Sequence, residues 1–292
     1  MNGAKFPGQG SGPSRLSCSA WLFLFLLLLA ATRPLPADAQ GNLLLTPQRV
    51  VFEGTKRIEE LNLANIGNDT ARYIISLINF RMKEDGNFEE ITSPDTGQNF
   101  ADKWVRFFPH SVILGPQESQ TVKIQLIRPT GMEAGEYRSH IYFRAIPDQQ
   151  PLGEKDPTPD SSISVRLIPI FGVSIPVIIR VGMPTTQTSL SDLSVDLAKD
   201  TIPLLNITFH RTGNMSVYGD LSVDYTPAQG KTTRVSEIRG VAVYTPNTQR
   251  RFRMPLRNIK DVSYHSGTLH VKYTTPADHK IATIAEADLI LH

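Results

Sequence analysis

Seven histidines, one cysteine and 28 carboxylates are the chain's stock of groups for acid–base, nucleophilic or metal chemistry. Their spacing assembles none of these. His110, His140, His210, His265, His270, His279 and His292 form no His-Glu-x-x-His run and no close ligand pair. His265 and His270 would point to opposite faces of a shared strand, as would the adjacent pairs Glu59-Glu60 and Glu89-Glu90. No nucleophile elbow and no phosphate-binding loop occur. Cys18 and the Gly8–Gly12 run fall in the N-terminal leader described below. No catalytic residue, metal site or cofactor is assigned, and an enzyme is not expected. What the chain does offer is recognition chemistry: an apolar row and isolated arginines.

The row lies in Ser162–Val181. Every second residue is apolar: Ile163, Val165, Leu167, Pro169, Phe171, Val173, Ile175, Val177 and Ile179. The other row opens on Ser162, Ser164 and Arg166 and later holds Gly172, Ser174 and Arg180. A period of two is a β-strand with one apolar face. Proline cannot donate to a ladder, so Pro169 and Pro176 place part of this strand at a sheet edge. A long apolar edge invites pairing with another chain. Two readings stand, a strand buried in its own core or an edge for capturing a partner, and both can hold for different halves. Self-pairing of two copies is the simple way to protect such an edge, so a homodimer is expected in the free protein.

These residues need a scaffold, and the chain before and after them supplies one. Met1–Ala39 has a basic start (Lys5, Arg15), an apolar stretch from Ala20 to Ala31 and an Ala37-Asp38-Ala39 site before Gln40. That is the pattern of a cleaved secretory signal peptide, which points to an exported protein. With the leader go Lys5, Arg15, Arg33 and Asp38, leaving 27 basic and 27 acidic residues of the 30 and 28 present. A near-neutral chain has no electrostatic basis for binding nucleic acid. Cys18 goes too, so no disulfide can staple the exported protein, and packed cores must hold it.

From Gln40 to Val181 the chain reads as short strands between turn signals. They are Leu43–Phe52, Glu59–Asn65, Arg72–Met82, a stretch around Trp104–Phe107, Gln120–Ile127, Glu136–Ile146 and the row itself. About seven strands in this length suit an immunoglobulin-like sandwich, with Tyr137 where that fold keeps a corner tyrosine. Asp148–Asp160 reads as a loop, and 182–191 as a linker. Over 192–292 a second all-β pattern follows: Leu193–Leu197, Leu204–His210, Val217–Tyr225, Val235–Tyr244, Arg251–Leu256, Gly267–Tyr273 and Ile284–Leu291. The fold class expected is all-β, with two immunoglobulin-like sandwich domains.

Five stretches in order resemble the PapD-like periplasmic pilus chaperones. They are Pro47–Gly54, the run Leu61-Asn-Leu-Ala-Asn-Ile-Gly-Asn68, Pro109–Gln120, Gly135–Phe143 and Ile175–Arg180. The second domain resembles the family by architecture and by Gly267–Tyr273. The resemblance implies two sandwiches in a boomerang, and a strand edge lent to an incomplete pilus or fimbrial subunit by donor-strand complementation. It implies subunit-facing residues Ile163, Val165, Leu167 and Phe171, and an outer-membrane usher as a further partner.

In that family an arginine on the first strand and a lysine on the last hold the subunit's C-terminal carboxylate. Arg49 matches the arginine, on a strand face read as shared with Leu45 and Val51. Pro176 stands where the lysine would be, and no lysine occurs between Lys155 and Lys199. Arg166 and Arg180 are the candidate replacements. The alternative to a chaperone is an exported structural or adhesive β-sandwich protein that shares only the fold.

Overall fold

A computed structural model describes residues 43–127, 131–147, 170–197, 202–260, 262–277 and 280–292. The leader, the Asp148–Asp160 loop and the start of the apolar row, including Ile163, Val165, Arg166 and Leu167, lie outside the described residues.

The regular structure of the described residues is almost entirely strand, arranged as two β-sandwiches. In the first, one sheet has the order β1 (Leu43–Thr46), β3 (Ile58–Asn65), β9 (Ser119–Leu126), β7 (Val105–Phe108). The facing sheet has the order β2 (Val50–Phe52), β11 (Gly172–Val181), β10 (Gly135–Ala145), β4 (Ala71–Ile78), β8 (Ser111–Leu114). A small hairpin, β5 (Phe80–Met82) with β6 (Phe88–Glu90), stands apart from both. The second sandwich has one sheet of β12 (Gln187–Asp196), β13 (Leu204–Thr212) and β16 (Gln249–Pro255). Its other sheet has the order β15 (Thr233–Val243), β14 (Val217–Thr226), β17 (Gly267–Thr274), β18 (Thr283–Leu291).

Alternation builds both cores. Leu61 and Leu63 on β3, and Val122 and Ile124 on β9, face Phe52, Ile141, Phe143, Val177 and Ile179 across the first sandwich, all essentially buried. Each such side chain contributes about 1.5–3 kcal/mol by leaving water. Leu205, Phe209, Leu221, Val223, Val271 and Tyr273 do the same in the second. The Tyr273 hydroxyl, raised in pKa by burial, stays hydrogen-bonded by donating to the Val241 carbonyl at 2.7 Å. Tyr137 donates to the Glu133 carbonyl at 3.3 Å, the contact a corner tyrosine makes.

The strands differ from the sequence reading in several places, and β6 and β8 lie where none was expected. Leu43–Phe52 is two strands in two sheets: β1 pairs antiparallel with β3, and β2 pairs parallel with β11. The chain changes sheets around Pro47, which has no N–H for a ladder. Leu45 therefore enters the core from β1, on another sheet from Val51, whose strand Arg49 precedes. Arg72–Met82 divides into β4 and β5. The strand expected at Leu193 begins at Gln187.

A third, smaller apolar cluster joins the sandwiches: Met82, Ile178, Ala242 and Tyr244, with Val51 and Tyr218 against it. The β5–β6 hairpin reaches the same junction. The Asn247 side-chain amide donates to the Met82 carbonyl at 2.8 Å, and the Arg251 N–H to the Glu84 carbonyl at 2.6 Å.

Candidate partner-binding site

The apolar row changes character along its length. Phe171 and Val173 are 48% and 40% exposed, whereas Ile175 is 4% and Val177 0% exposed. The change falls where a second neighbour arrives. Strand β10 pairs with β11 from Gly172 to Val181, but β2 joins the other side only at Val177–Ile179. Over Gly172–Pro176, β11 has a strand on one side only among the described residues. Proline is tolerated there because an edge leaves one side of the ladder unfilled. Beyond that point the intervening row is buried as well. Ile178 is fully buried in the junction cluster, so both faces of the second half of β11 are covered. The reading of one apolar face thus applies to the exposed half alone. At the exposed end Gly172 has a packing reason: a Cβ there would sit 2.2 Å from the Tyr142 hydroxyl.

Arg49 precedes β2 and points out of the first sandwich. Its guanidinium carbon lies 4.2 Å from the ring centre of Tyr218 and 5.8 Å from that of Tyr244, both in the second sandwich. Such stacking positions a cation without neutralising it. Arg49 Nη1 is buried with no hydrogen-bond partner among the described residues. The residue lines a cleft of about 480 Å³ between the sandwiches, with Pro176, Tyr218, Tyr244, Asp220 and Arg239. Arg49 and Pro176, the two positions the resemblance singles out, therefore border one cavity.

Behind the cleft the outward face of β10 carries Glu136, Arg138 and His140. Arg138 is 2% exposed and stacks 4.3 Å from the ring centre of Tyr244, on whose ring Arg49 also bears. Its Nη2 donates long bonds to the carbonyls of Phe80 and Thr245, while Nε and Nη1 have no partner among the described residues. Burial lowers its pKa. His140 lies edge-on to Phe80 and Phe88. Burial first, and the charge of Arg138 second, push its pKa down to about 3.

Arg180 is differently placed from a free anchor. Its Nε donates to Glu136 Oε2 at 3.2 Å, Nη1 to Glu53 Oε1 at 2.9 Å, and Nη2 to the Ser216 carbonyl at 3.1 Å. Glu136, with no exposed side-chain surface, also accepts the Ser216 N–H at 3.1 Å and hydroxyl at 2.6 Å. All three guanidinium nitrogens of Arg180 are thus engaged within the chain, in a junction between the sandwiches. The arginines of the Arg250-Arg251-Phe-Arg253 run are also engaged within the chain. Arg250 is turned inward, donating from Nη1 to the Ala242 carbonyl, while Arg251 and Arg253 pair with Glu84 and Asp196.

The sequence reading singled out Arg49, Phe171 and Arg180 among residues now described, and missed Glu136, Arg138, Tyr218, Arg239 and Tyr244. A charged residue at alternate positions of β10 was the available signal: Glu136 and Arg138 share a face that a lone sandwich would leave in water. Only the second sandwich explains why they are buried.

No protein-family model matches the chain, and no curated protein matches it. Among solved structures it is similar to the YadV chaperone at 12% identity and a TM-score of 0.42, over 86% of this chain and 100% of that one. It is similar to a chain of the CsuC–CsuE chaperone–tip adhesion subunit complex of Acinetobacter baumannii at 13% identity and a TM-score of 0.42, over 83% and 98%. The E. coli chaperone DraB matches at 16% identity and a TM-score of 0.39, over 86% and 96%.

Proposed function

We propose that the chain is a PapD-like periplasmic chaperone, which binds and stabilises pilus or fimbrial subunits by lending them a strand edge before assembly. The observation that carries this reading is the start of β11. There a strand with one neighbour among the described residues presents Phe171 and Val173 to solvent at 48% and 40% exposure, in line with a continuing apolar row in the sequence. Backbone groups on such an edge supply ladder bonds, and alternate side chains supply specificity. In the full interface Ile163, Val165, Leu167 and Phe171 are the donor residues, and Arg49 holds the subunit's terminal carboxylate. Arg180 serves by fixing the junction through Glu136 rather than by touching the subunit. The chemistry needs no cofactor and no bond making. An outer-membrane usher would receive the loaded complex, and a homodimer through the same edge would protect the free protein.

The test is co-expression with a pilus subunit lacking its final strand. The subunit should be recovered in a soluble 1:1 complex, and the free chain should form a concentration-dependent dimer that the subunit dissolves. A subunit that aggregates to the same extent with and without the chain would reject the reading.

A further inference from the structure

We propose that Arg239, on the second sandwich, is the second cation of the carboxylate site that begins with Arg49, so that the cleft grips a chain-terminal carboxylate between two arginines, one from each sandwich. This rests on the chaperone reading above. The position opposite Arg49 on the last strand of the first sandwich is Pro176, which carries no charge, yet Pro176 and Arg239 border the same cleft of about 480 Å³.

Arg239 owes its place to a backbone irregularity. In the β14–β15 ladder Gly219 pairs with Val241 and Leu221 with Ile238, so Asp220 alone opposes both Arg239 and Gly240. That is a β-bulge, a device that re-aims a side chain. Gly240 takes φ +75°, a region that favours glycine. A Cβ there would lie 2.9 Å from the Tyr218 hydroxyl, so the missing side chain also lets the tyrosine that supports Arg49 sit against the bulge. Asp220 Oδ1 accepts the Gly240 N–H at 3.0 Å and pins the bulge. Its Oδ2 accepts the Ala277 N–H at 3.2 Å, fixing the loop on the far side of the cleft.

Charge in the cleft favours an anion. Among the described residues Asp220 is the only acid lining the cleft, and both its oxygens accept backbone N–H groups. Arg49 Nη1 is buried without a partner, and Arg138 is buried behind Tyr244 with two unpartnered nitrogens, among the described residues. Among the described residues Arg239 is held only by a long 3.4 Å contact from Nε to Glu237, and it is 75% exposed, so it can turn to a ligand at little cost. Two guanidinium forks suit the two oxygens of one carboxylate.

The experiment titrates the full exported chain with an N-acetylated tetrapeptide of apolar residues, as the free C-terminal acid and as the C-terminal amide. Binding is followed by the arginine Nε–Hε resonances and by calorimetry. The wild type should bind the acid at least tenfold more tightly than the amide. Arg239→Ala should weaken the acid by roughly tenfold to a hundredfold, the size expected for charge-assisted hydrogen bonds, and leave the amide unchanged. Arg239→Lys, a point charge without the fork, should recover part of the loss. Acid and amide binding alike in the wild type, or an Arg239→Ala variant that binds the acid as the wild type does, overturns the clamp. Capture of a strand-lacking pilus subunit is measured beside it. Capture that survives Arg239→Ala sinks the clamp and leaves the chaperone reading intact. A wild type that prefers the acid but captures no subunit keeps the clamp and rejects the chaperone reading.

Discussion

Glu136 of the first sandwich accepts the hydroxyl of Ser216 in the second at 2.6 Å, on the same oxygen that holds Arg180 Nε at 3.2 Å. One carboxylate thereby ties a strand of the first core, the arginine beside it and the start of β14 into a single junction. Its Oε1 has no partner among the described residues, so the ion pair to Arg180 is what makes the burial tolerable.

Removing that arginine should therefore act on folding. Arg180→Ala leaves the buried Glu136 carboxyl without its ion-pair partner, a change that costs about 3–5 kcal/mol. Denaturant unfolding followed through Trp104, the only tryptophan beyond the leader, checks it. A variant as stable as the wild type that no longer captures subunit would return Arg180 to the role of a direct anchor.

Arg49 should behave in the opposite way. Its stacking on Tyr218 is worth about 0.5–2 kcal/mol, and Nη1 makes no hydrogen bond among the described residues that a truncation would break. Arg49→Ala is expected to abolish subunit capture with the melting temperature lowered only slightly. A large drop in thermal stability would make Arg49 structural instead.

The two halves of the apolar row should separate by magnitude. Phe171 is 48% exposed, and Phe171→Ser should change stability by no more than about 1 kcal/mol while weakening capture. Ile175, at 4%, is core, and Ile175→Ala should cost about 2–5 kcal/mol. Unfolding curves for the two variants, taken with pull-downs, decide the matter. Equal, large losses at both positions would place Phe171 in the core and remove it from the donor row.

His140 makes stability depend on pH. Its folded pKa of about 3 lies below the ordinary 6.5, so the folded state disfavours the proton that the unfolded chain accepts. The contribution is fully present above pH 6.5 and declines as pH falls toward 3. Its slope approaches about 1.4 kcal/mol per pH unit inside that window. Other groups titrate there too, so the measurement is the difference between the wild type and His140→Gln at pH 7, 5.5 and 4.5. The variant should lose less stability than the wild type on acidification. Parallel curves would show that the imidazole does not titrate in this window.

Much of the fold was legible because it is local. A period of two in Gln120–Ile127, Leu204–His210 and Gly267–Tyr273 marks which face leaves water, and β9, β13 and β17 lie there with those faces buried. The apolar row could be picked out because its run was out of keeping with its neighbours, and Arg49 through the family resemblance of Pro47–Gly54. What local pattern could not carry is which side chains meet across the two sandwiches. Arg180 and Phe171 belong to one run of residues, yet one is tied to Glu136 and the other faces solvent, because β2 joins β11 only at Val177–Ile179. The lone Gly240 within an apolar strand could signal a bulge. That the bulge puts Arg239 on the same cleft as Arg49 was decided by tertiary packing alone, since no interaction near either residue in the chain specifies how one core docks on another.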